Sequence, residues 1–276
     1  MTDYRMRLML DNLHDRATEL TATSARPGTP IEYTQRNERN RVWRSAGLES
    51  QVIEAALDDV SFVDGVALLN HNLTDRASMR LQLFLSDSEV FDSGTVIAAD
   101  IIPAGIWRAG IDPLGASYNQ QIDRAAAMID APATAITRYR LTIDDPGNAT
   151  GAIQLGRLVV GLYFRPEFNM SYGLETDFID NASHEYSAGQ SLRTIGAGAV
   201  RRSNQVSLEW LTVADRARLI QELAQRGMIA DVFIDLYPAR VGIERLSAAY
   251  LARMSRGYAD SHNRGGRAAT LEFLEV

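Results

Sequence analysis

The stretch that decides the fold is ITRYRLTIDDPGNATGAIQLGRLVVGLYF, residues 136–164. Two runs in it, 139–143 and 153–160, alternate apolar with polar side chains and are rich in β-branched and aromatic residues, as half-buried strands are. Between them lies Asp-Asp-Pro-Gly-Asn at 144–148, whose backbone preferences favour a turn. The stretch therefore predicts two β-strands, joined as a hairpin or lying in adjacent sheets of a β-sandwich.

Strand patterns of the same kind recur on both sides of this stretch. They are found at 60–70, 79–85, 206–211, 232–237 and 269–276. The sequence supports only one helix clearly: Thr212 is placed to cap its start, Asp215 follows three residues later, and Gly227 is placed to end it. The chain is therefore predicted to be mainly β.

A loop at 165–169, Arg-Pro-Glu-Phe-Asn, separates two stretches that are each long enough to bury a core. We predict a jelly-roll-like β-sandwich over 1–165. We predict a second domain over 166–276, a β-sandwich with one α-helix.

The composition excludes several classes of function. The 276 residues contain no cysteine, which excludes disulfides, thiolate metal sites and cysteine nucleophiles and fits assembly in a reducing cytosol. All 28 basic residues are arginine, and the net charge is −7, which argues against a nucleic-acid-binding surface. The arginine clusters, Arg201-Arg202 and the four arginines at 36, 39, 41 and 44, are interpreted as solvated or interface residues. No spanning helix and no signal peptide are expected.

No catalytic or cofactor-binding arrangement is predicted. The four histidines lack partners at metal-ligand spacing, and no serine lies in a Gly-x-Ser-x-Gly elbow. Adjacent acids such as Asp144 and Asp145 point to opposite faces if they lie on a strand, so they do not form an acid–base pair. Together with Asn148 they offer oxygen ligands to calcium, but a plain turn is the favoured interpretation. We expect no enzyme and no cofactor.

Three aromatic residues are candidate contacts for a sugar or a protein partner: Trp43, Trp107 and Tyr118. Trp43 lies among arginines, and the favoured alternative is that it plugs the end of a sandwich. Two irregular segments, 102–135 and 180–204, are too rich in glycine and polar residues to be stabilised by their own burial. We predict that they bury most of their surface only against a neighbouring subunit.

The order of these segments resembles two groups of proteins. The first domain resembles jelly-rolls of the discoidin and carbohydrate-binding-module kind, through 21–24 (TATS), 41–45 (RVWRS), 63–70, 79–87, 138–143 and 153–158. More narrowly, the chain resembles structural proteins of the tail tip or baseplate of long-tailed bacteriophages. The strings that carry this second resemblance are NHNL (70–73), LSDS (85–88), FDSG (91–94), YRLTIDDPGN (139–148), IQLGRLVVG (153–161) and FRPEFNMSYG (164–173).

The phage resemblance implies a distal-tail-like structural protein that forms a homo-oligomeric ring. Such a ring connects the tail tube to other tail proteins, is assembled in the host cytoplasm and resides at the virion tail tip. The jelly-roll resemblance implies an alternative function, a carbohydrate-binding adhesin module that contacts a host-surface glycan. Neither resemblance implies a nucleic-acid or membrane partner.

Overall fold

The structure is a computed structural model that describes residues 4–74, 76–98, 126–180, 182–196, 200–240, 243–263 and 266–276. The chain forms two compact units, the first of residues 1–165 and 233–250, the second of 166–232 and 251–276. One boundary between the units follows residue 165, and the segment 233–250 belongs to the first unit, whereas the predicted second domain spans 166–276. The reason is a long-range pairing: Arg7–Met9 pair antiparallel with residues 233–235.

Ten of the described strands lie wholly in the first unit. They are β1 (Arg7–Met9), β2 (Glu19–Ala22), β3 (Trp43–Arg44), β4 (Gln51–His71), β5 (Ser78–Leu85), β6 (Ser88–Asp92), β7 (Val96–Ile97), β8 (Ala127–Asp144), β9 (Gln154–Gly161) and β10 (Tyr163–Phe164). The unit also contains 3-10 turns at Leu13–Arg16 and Ile31–Gln35 and a short helix at Ile243–Ser247.

The long strands β4 and β8 organise the first unit. They lie in an eight-stranded sheet with the order β3–β9–β4–β8–β5–β6, in which β2 pairs with β4 and β7 with β5. Residues 51–57 of β4 alternate between buried and half-buried, whereas 63–69 are buried on both faces. Register shifts between these halves bend the strand. Side chains from both halves, including Ile53 and Leu68, enter one core, so the sheet folds back on itself as a sandwich.

The hairpin interpretation of 136–164 is wrong. Strands β8 and β9 do not pair with each other, because both pair with β4, on opposite sides of it. The turn at 145–148 is present, with the Asn148 N–H donating to the Asp145 carbonyl at 3.3 Å. This turn connects β8 to β9, and β4 lies between them in the sheet. The local sequence pattern of 136–164 does not predict the position of β4.

The remaining strands are β11 (Glu175–Ile179), β12 (Ser183–Tyr186), β13 (Leu192–Ile195), β14 (Arg201–Leu208), β15 (Asp231–Asp235), β16 (Ala249–Met254), β17 (Asp260–Asn263) and β18 (Gly266–Glu275). In the second unit β14 lies between β11 and β18. The other edge of β18 pairs with residues 252–254 of β16 and with β17. Alternate residues of β14 and β18 are buried, among them Val206, Leu208, Leu271 and Phe273.

The predicted helix begins at Val213, directly after the predicted cap residue Thr212. It spans Val213–Leu219, and the Thr212 hydroxyl accepts from the Asp215 N–H at 3.1 Å. In a capping box the side chain at this position accepts from the backbone N–H of the cap residue. Here the Asp215 carboxylate accepts instead from the Glu167 N–H, at 3.1 Å. The helix continues as a wider π-type turn at Ile220–Ala224 and gives way to Gly227, whose φ is +65°.

The predicted fold class is confirmed: the chain is mainly β, with sandwich-like units and a helix in the second. Among the described residues, no helix has the length and apolar character needed to span a membrane.

Candidate interaction site

The most distinctive surface of the second unit is a segment that we call the arm, residues 175–195, which contains β11, β12 and β13. Strand β11 pairs with β14, from Glu175 opposite Gln205 to Ile179 opposite Arg201. Strands β12 and β13 pair only with each other among the described strands and form a separate hairpin. The arm thus begins on the sheet of the second unit and ends in a two-stranded ribbon.

The sequence specifies the turn of this hairpin. The Ser187 N–H donates to the Ser191 carbonyl at 2.9 Å, and the Gln190 N–H donates to the Ser187 carbonyl at 2.8 Å. The Ser187 hydroxyl also accepts from the Ser191 N–H at 3.1 Å. Gln190 has a φ of +60° in the left-handed region. These bonds close the loop and set the register of the strands.

The arm exposes apolar side chains that a soluble protein normally buries. All residues of β11, β12 and β13 are exposed. Tyr186 lies opposite Leu192 in the register and is 75% exposed, while Leu192 is 55% exposed. Phe178 on β11 is 63% exposed and Ile195 on β13 is 49% exposed. An isolated two-stranded hairpin is marginally stable in water, and concentrations of exposed apolar surface mark contact sites.

The segment 180–204, which was predicted to become ordered against a neighbouring subunit, has two parts that differ in burial. Residues 183–195 form the exposed hairpin, which agrees with a segment that lacks burial of its own. Strand β14 was wrongly included, because Arg202 and Asn204 are buried within the second unit. Of the segment 102–135, residues 127–135 belong to the long strand β8, and 102–125 lie outside the described residues.

The structure places Trp43 in the core of the first unit. Its side chain is fully buried, and the indole N–H donates to the Ser24 carbonyl at 3.1 Å. A buried position agrees with the interpretation that Trp43 plugs the sandwich. The buried ring has no exposed surface that could contact a sugar or a protein partner. Trp107 and Tyr118 lie outside the described residues.

The turn considered for calcium holds two loops together through a buried carboxylate. Asp145 accepts from the Thr74 N–H at 3.0 Å, from the Thr74 hydroxyl at 2.6 Å and from the Asn148 amide at 2.9 Å. Both carboxylate oxygens of Asp145 thus accept from protein donors, and Asn148 donates its amide to the Asn72 carbonyl at 2.9 Å. Within the described residues no group of three or more His, Cys, Asp or Glu side chains is placed to hold a metal ion.

A buried histidine forms a polar network that sequence reasoning missed. His14 lies in the first unit with no exposed surface. Its Nδ1 is 2.5 Å from the Tyr139 hydroxyl, and its Nε2 is 2.7 Å from Thr34 Oγ1. Burial, reinforced by the positive charge of Arg157, lowers the pKa of His14 to about 3. The group is sealed from solvent, so it has a structural role and not that of an exchanging acid or base.

Buried Arg7 and Asp235 of the first unit take part in a charged network. Arg7 and Arg245 both bind the buried Asp235, at 2.9 and 3.0 Å, and both reach Asp130, at 2.7 and 3.3 Å. The Arg7 guanidinium also lies over the Tyr163 ring, 4.1 Å from its centroid. Two arginines and two aspartates balance in charge, which is the arrangement of a structural network.

The comparisons with known proteins concern the fold. No protein-family model matches the sequence, and no curated protein matches it either. Among solved structures, a chitosan-binding module from a Paenibacillus chitosanase/glucanase has a TM-score of 0.37 and 17% identity, over 54% of this chain and 98% of that chain. A family 32 carbohydrate-binding module of Clostridium perfringens, in complex with galactose, has a TM-score of 0.39 and 12% identity, over 57% and 99%.

A fucose-binding module of Streptococcus pneumoniae has a TM-score of 0.35 and 13% identity, over 56% of this chain and 99% of that chain. None of these three structures is a phage protein. All three are carbohydrate-binding modules, the class that the first domain is predicted to resemble. The resemblance to phage tail proteins stays a prediction.

Proposed function

We propose that this chain is a structural protein that functions as an oligomer and not as an enzyme. The observation that carries the proposal is the arm, in which Phe178, Tyr186 and Leu192 are exposed on strands with a defined register. Burying a large side chain of this kind contributes about 1.5–3 kcal/mol. A second protein surface provides that burial, and a copy of the same chain is the partner present at equal concentration.

The charged residues support a structural role. The buried carboxylates Asp235 and Glu275 bind arginines, and the buried His14 is hydrogen-bonded on both ring nitrogens. An active site instead needs titratable groups that reach a substrate, with pKa values matched to their task. In the described part of the chain, these groups are used to hold strands together.

The finer form of the proposal is a ring at the tail tip of a long-tailed bacteriophage, attached to other tail proteins. It rests on the resemblance of the strings between residues 70 and 173 to tail-tip structural proteins. A protein of that kind needs a surface that contacts the next copy, and the arm has the exposure and the apolar content of such a surface.

The oligomer is tested by sedimentation velocity of the purified full chain across a range of protein concentrations. We expect wild type to sediment as an oligomer and to form rings in negative-stain images. Tyr186→Ser/Leu192→Ser should raise the dissociation constant at least about 100-fold, because hot-spot side chains contribute about 2 kcal/mol or more each.

The matched control is Val90→Ser/Ile97→Ser, which removes two exposed apolar side chains from the first unit, outside the arm. This variant should assemble like wild type. A wild-type chain that remains monomeric at all concentrations would refute the proposal.

A second candidate function, glycan binding by the first unit, is favoured by one exposed aromatic ring. Phe62 lies on β4 next to the register shift and is 55% exposed, close in sequence to the exposed acids Asp58 and Asp59. An exposed ring provides an apolar face for a sugar, and carboxylates accept hydrogen bonds from hydroxyl groups.

Glycan binding is tested on a glycan array and by titration calorimetry with galactose, fucose and chitosan oligosaccharides. If the first unit is a lectin, Phe62→Ala should weaken binding at least about tenfold, a loss of about 1.4 kcal/mol. Phe168→Ala is the control, because Phe168 is 54% exposed but belongs to the second unit. No binding by wild type, or equal binding by both variants, rejects this candidate.

A further inference from the structure

We propose that the arm of one copy docks on an arginine-rich segment, residues 26–44, of a neighbouring copy. This inference rests on the proposed oligomeric function and names the surfaces that form the contact. The arginine-rich segment belongs to the first unit and contains the 3-10 turn Ile31–Gln35 and strand β3. The contact joins two different surfaces, and we infer that it is heterologous, repeating head to tail from copy to copy.

The two surfaces carry opposite net charges. The arm contains four acidic residues and one arginine, 1 − 4, a net charge of −3: Glu175, Asp177, Asp180, Glu185 and Arg193. The arginine-rich segment contains five arginines and two glutamates, 5 − 2, a net charge of +3: Arg26, Arg36, Arg39, Arg41, Arg44, Glu32 and Glu38. The arms of two copies would repel each other, which disfavours a symmetric arm-to-arm contact and favours the arginine-rich segment as the partner surface.

The charged groups on both surfaces are exposed to solvent. All five arginines of the segment are exposed, as are the four acids of the arm. Within the described residues, no salt bridge involves Arg36 or Arg41 of the segment, and none involves Asp177 or Glu185 of the arm. Arg41 lies 5.7 Å from the Tyr33 ring centroid. Ion pairs that these four residues form between copies therefore do not require a salt bridge within a copy to be broken.

Arginine also suits the aromatic residues of the arm. A guanidinium binds a carboxylate through its N–H edge and stacks on a ring through its face. The first unit already contains this combination: Arg138 pairs with Glu54 and lies over the Phe84 ring, 4.1 Å from its centroid. The arm carries both kinds of group, the exposed rings of Phe178 and Tyr186 and the exposed carboxylates of Asp177 and Glu185, on opposite faces of its strands.

A heterologous contact repeats from copy to copy, because every chain carries both surfaces. Such contacts close into a ring when the rotation between copies divides a full turn, and otherwise build an open filament. This places the arm on one side of each subunit contact and the arginine-rich segment on the other. It predicts an assembly that salt weakens, since the exposed charges are screened.

The test reverses charge on each surface of the full chain. The arm-reversed variant is Asp177→Arg/Glu185→Arg, and the segment-reversed variant is Arg36→Glu/Arg41→Glu. Alone, each variant juxtaposes like charges, so its dissociation constant should rise at least about 100-fold in sedimentation velocity. All four substitutions in one chain, or the two variants mixed in equal amounts, should restore assembly, which a folding defect would not do. Asp87→Arg/Glu89→Arg makes the same change in net charge as the arm-reversed variant, outside both surfaces, and should assemble like wild type.

The outcomes separate this inference from the proposed function. A monomeric wild type refutes the oligomer itself. A wild-type oligomer that the segment-reversed variant retains, or that the combined reversal does not restore, leaves the proposed function standing and overturns the choice of surfaces. Equal sedimentation of wild type and the segment-reversed variant, with loss of duplex DNA retention only in the latter, would assign the arginines to nucleic acid and also overturn it.

Discussion

Lowering the pH from 6.5 towards 3 is expected to destabilise the protein through His14 alone, by about 1.4 kcal/mol per pH unit. The folded-state pKa of His14 is lowered to about 3 from the ordinary value of 6.5, chiefly by burial and further by Arg157. The folded state therefore keeps the imidazole neutral in this window, whereas the unfolded state binds a proton. The stabilisation is fully present above pH 6.5 and is lost as the pH falls towards 3.

The hydrogen bonds around His14 fix the neutral form. The Thr34 hydroxyl donates to the Ile31 carbonyl at 2.6 Å, so Thr34 Oγ1 accepts from the His14 Nε2–H. The other ring nitrogen, Nδ1, then accepts from the Tyr139 hydroxyl. Burial raises the pKa of Tyr139, which keeps its hydroxyl a donor. In a protonated imidazole Nδ1 also carries a hydrogen, so its N–H would face the donating hydroxyl of Tyr139.

The measurement is the urea midpoint of wild type and His14→Gln at intervals from pH 4 to 7. Titration of carboxylates is common to both proteins, so the difference between the two curves isolates the imidazole. The variant should be less stable than wild type at pH 7, because a buried partner of Tyr139 and Thr34 is replaced, and the gap should narrow as the pH falls. Parallel curves would show that His14 is not held neutral.

This network shows why strands were easier to predict than contacts. The alternation around Tyr139 identified a strand, and the cap at Thr212 located the start of the helix, because both patterns depend on neighbouring residues. The partner of Tyr139 is His14, 125 positions away, and no local pattern connects them. The hairpin interpretation failed for the same reason, because β4 enters between β8 and β9 from a distant part of the chain.

The sequence predicted that the arm lacks a core of its own, but it did not predict the apolar surface of the arm. Its polar and glycine content indicated a segment without a core of its own, and the strands Ser183–Tyr186 and Leu192–Ile195 are exposed. What the sequence does not show is the hairpin register, which sets Tyr186 opposite Leu192 and gives the surface its apolar character. For Trp43 the sequence left two alternatives, an exposed contact among arginines and the favoured plug of a sandwich, and its neighbours in space are core residues.

Gly65→Ala is expected to destabilise the protein by about 3 kcal/mol, because an added methyl group overpacks a filled site. A Cβ at Gly65 would lie 2.3 Å from Tyr163 Cε2 and 3.0 Å from Tyr163 Cζ. The ring has little room to withdraw, since Tyr163 is buried and Arg7 lies 4.1 Å from its centroid. Gly147→Ala is the control: its Cβ meets no atom within 4 Å, so stability should change by less than about 0.5 kcal/mol.

A double-mutant cycle shows whether the ring of Tyr163 causes the loss. Tyr163→Leu should cost about 3 kcal/mol alone, because it leaves a cavity beside Phe233, whose ring centroid is 6.4 Å from that of Tyr163. In Gly65→Ala/Tyr163→Leu the new methyl group enters that cavity. The combined loss, measured by urea unfolding, should therefore fall short of the sum by at least about 1 kcal/mol. Additive losses would mean that the methyl group clashes with a group other than the Tyr163 ring. That result would contradict the close contact between Gly65 and Tyr163.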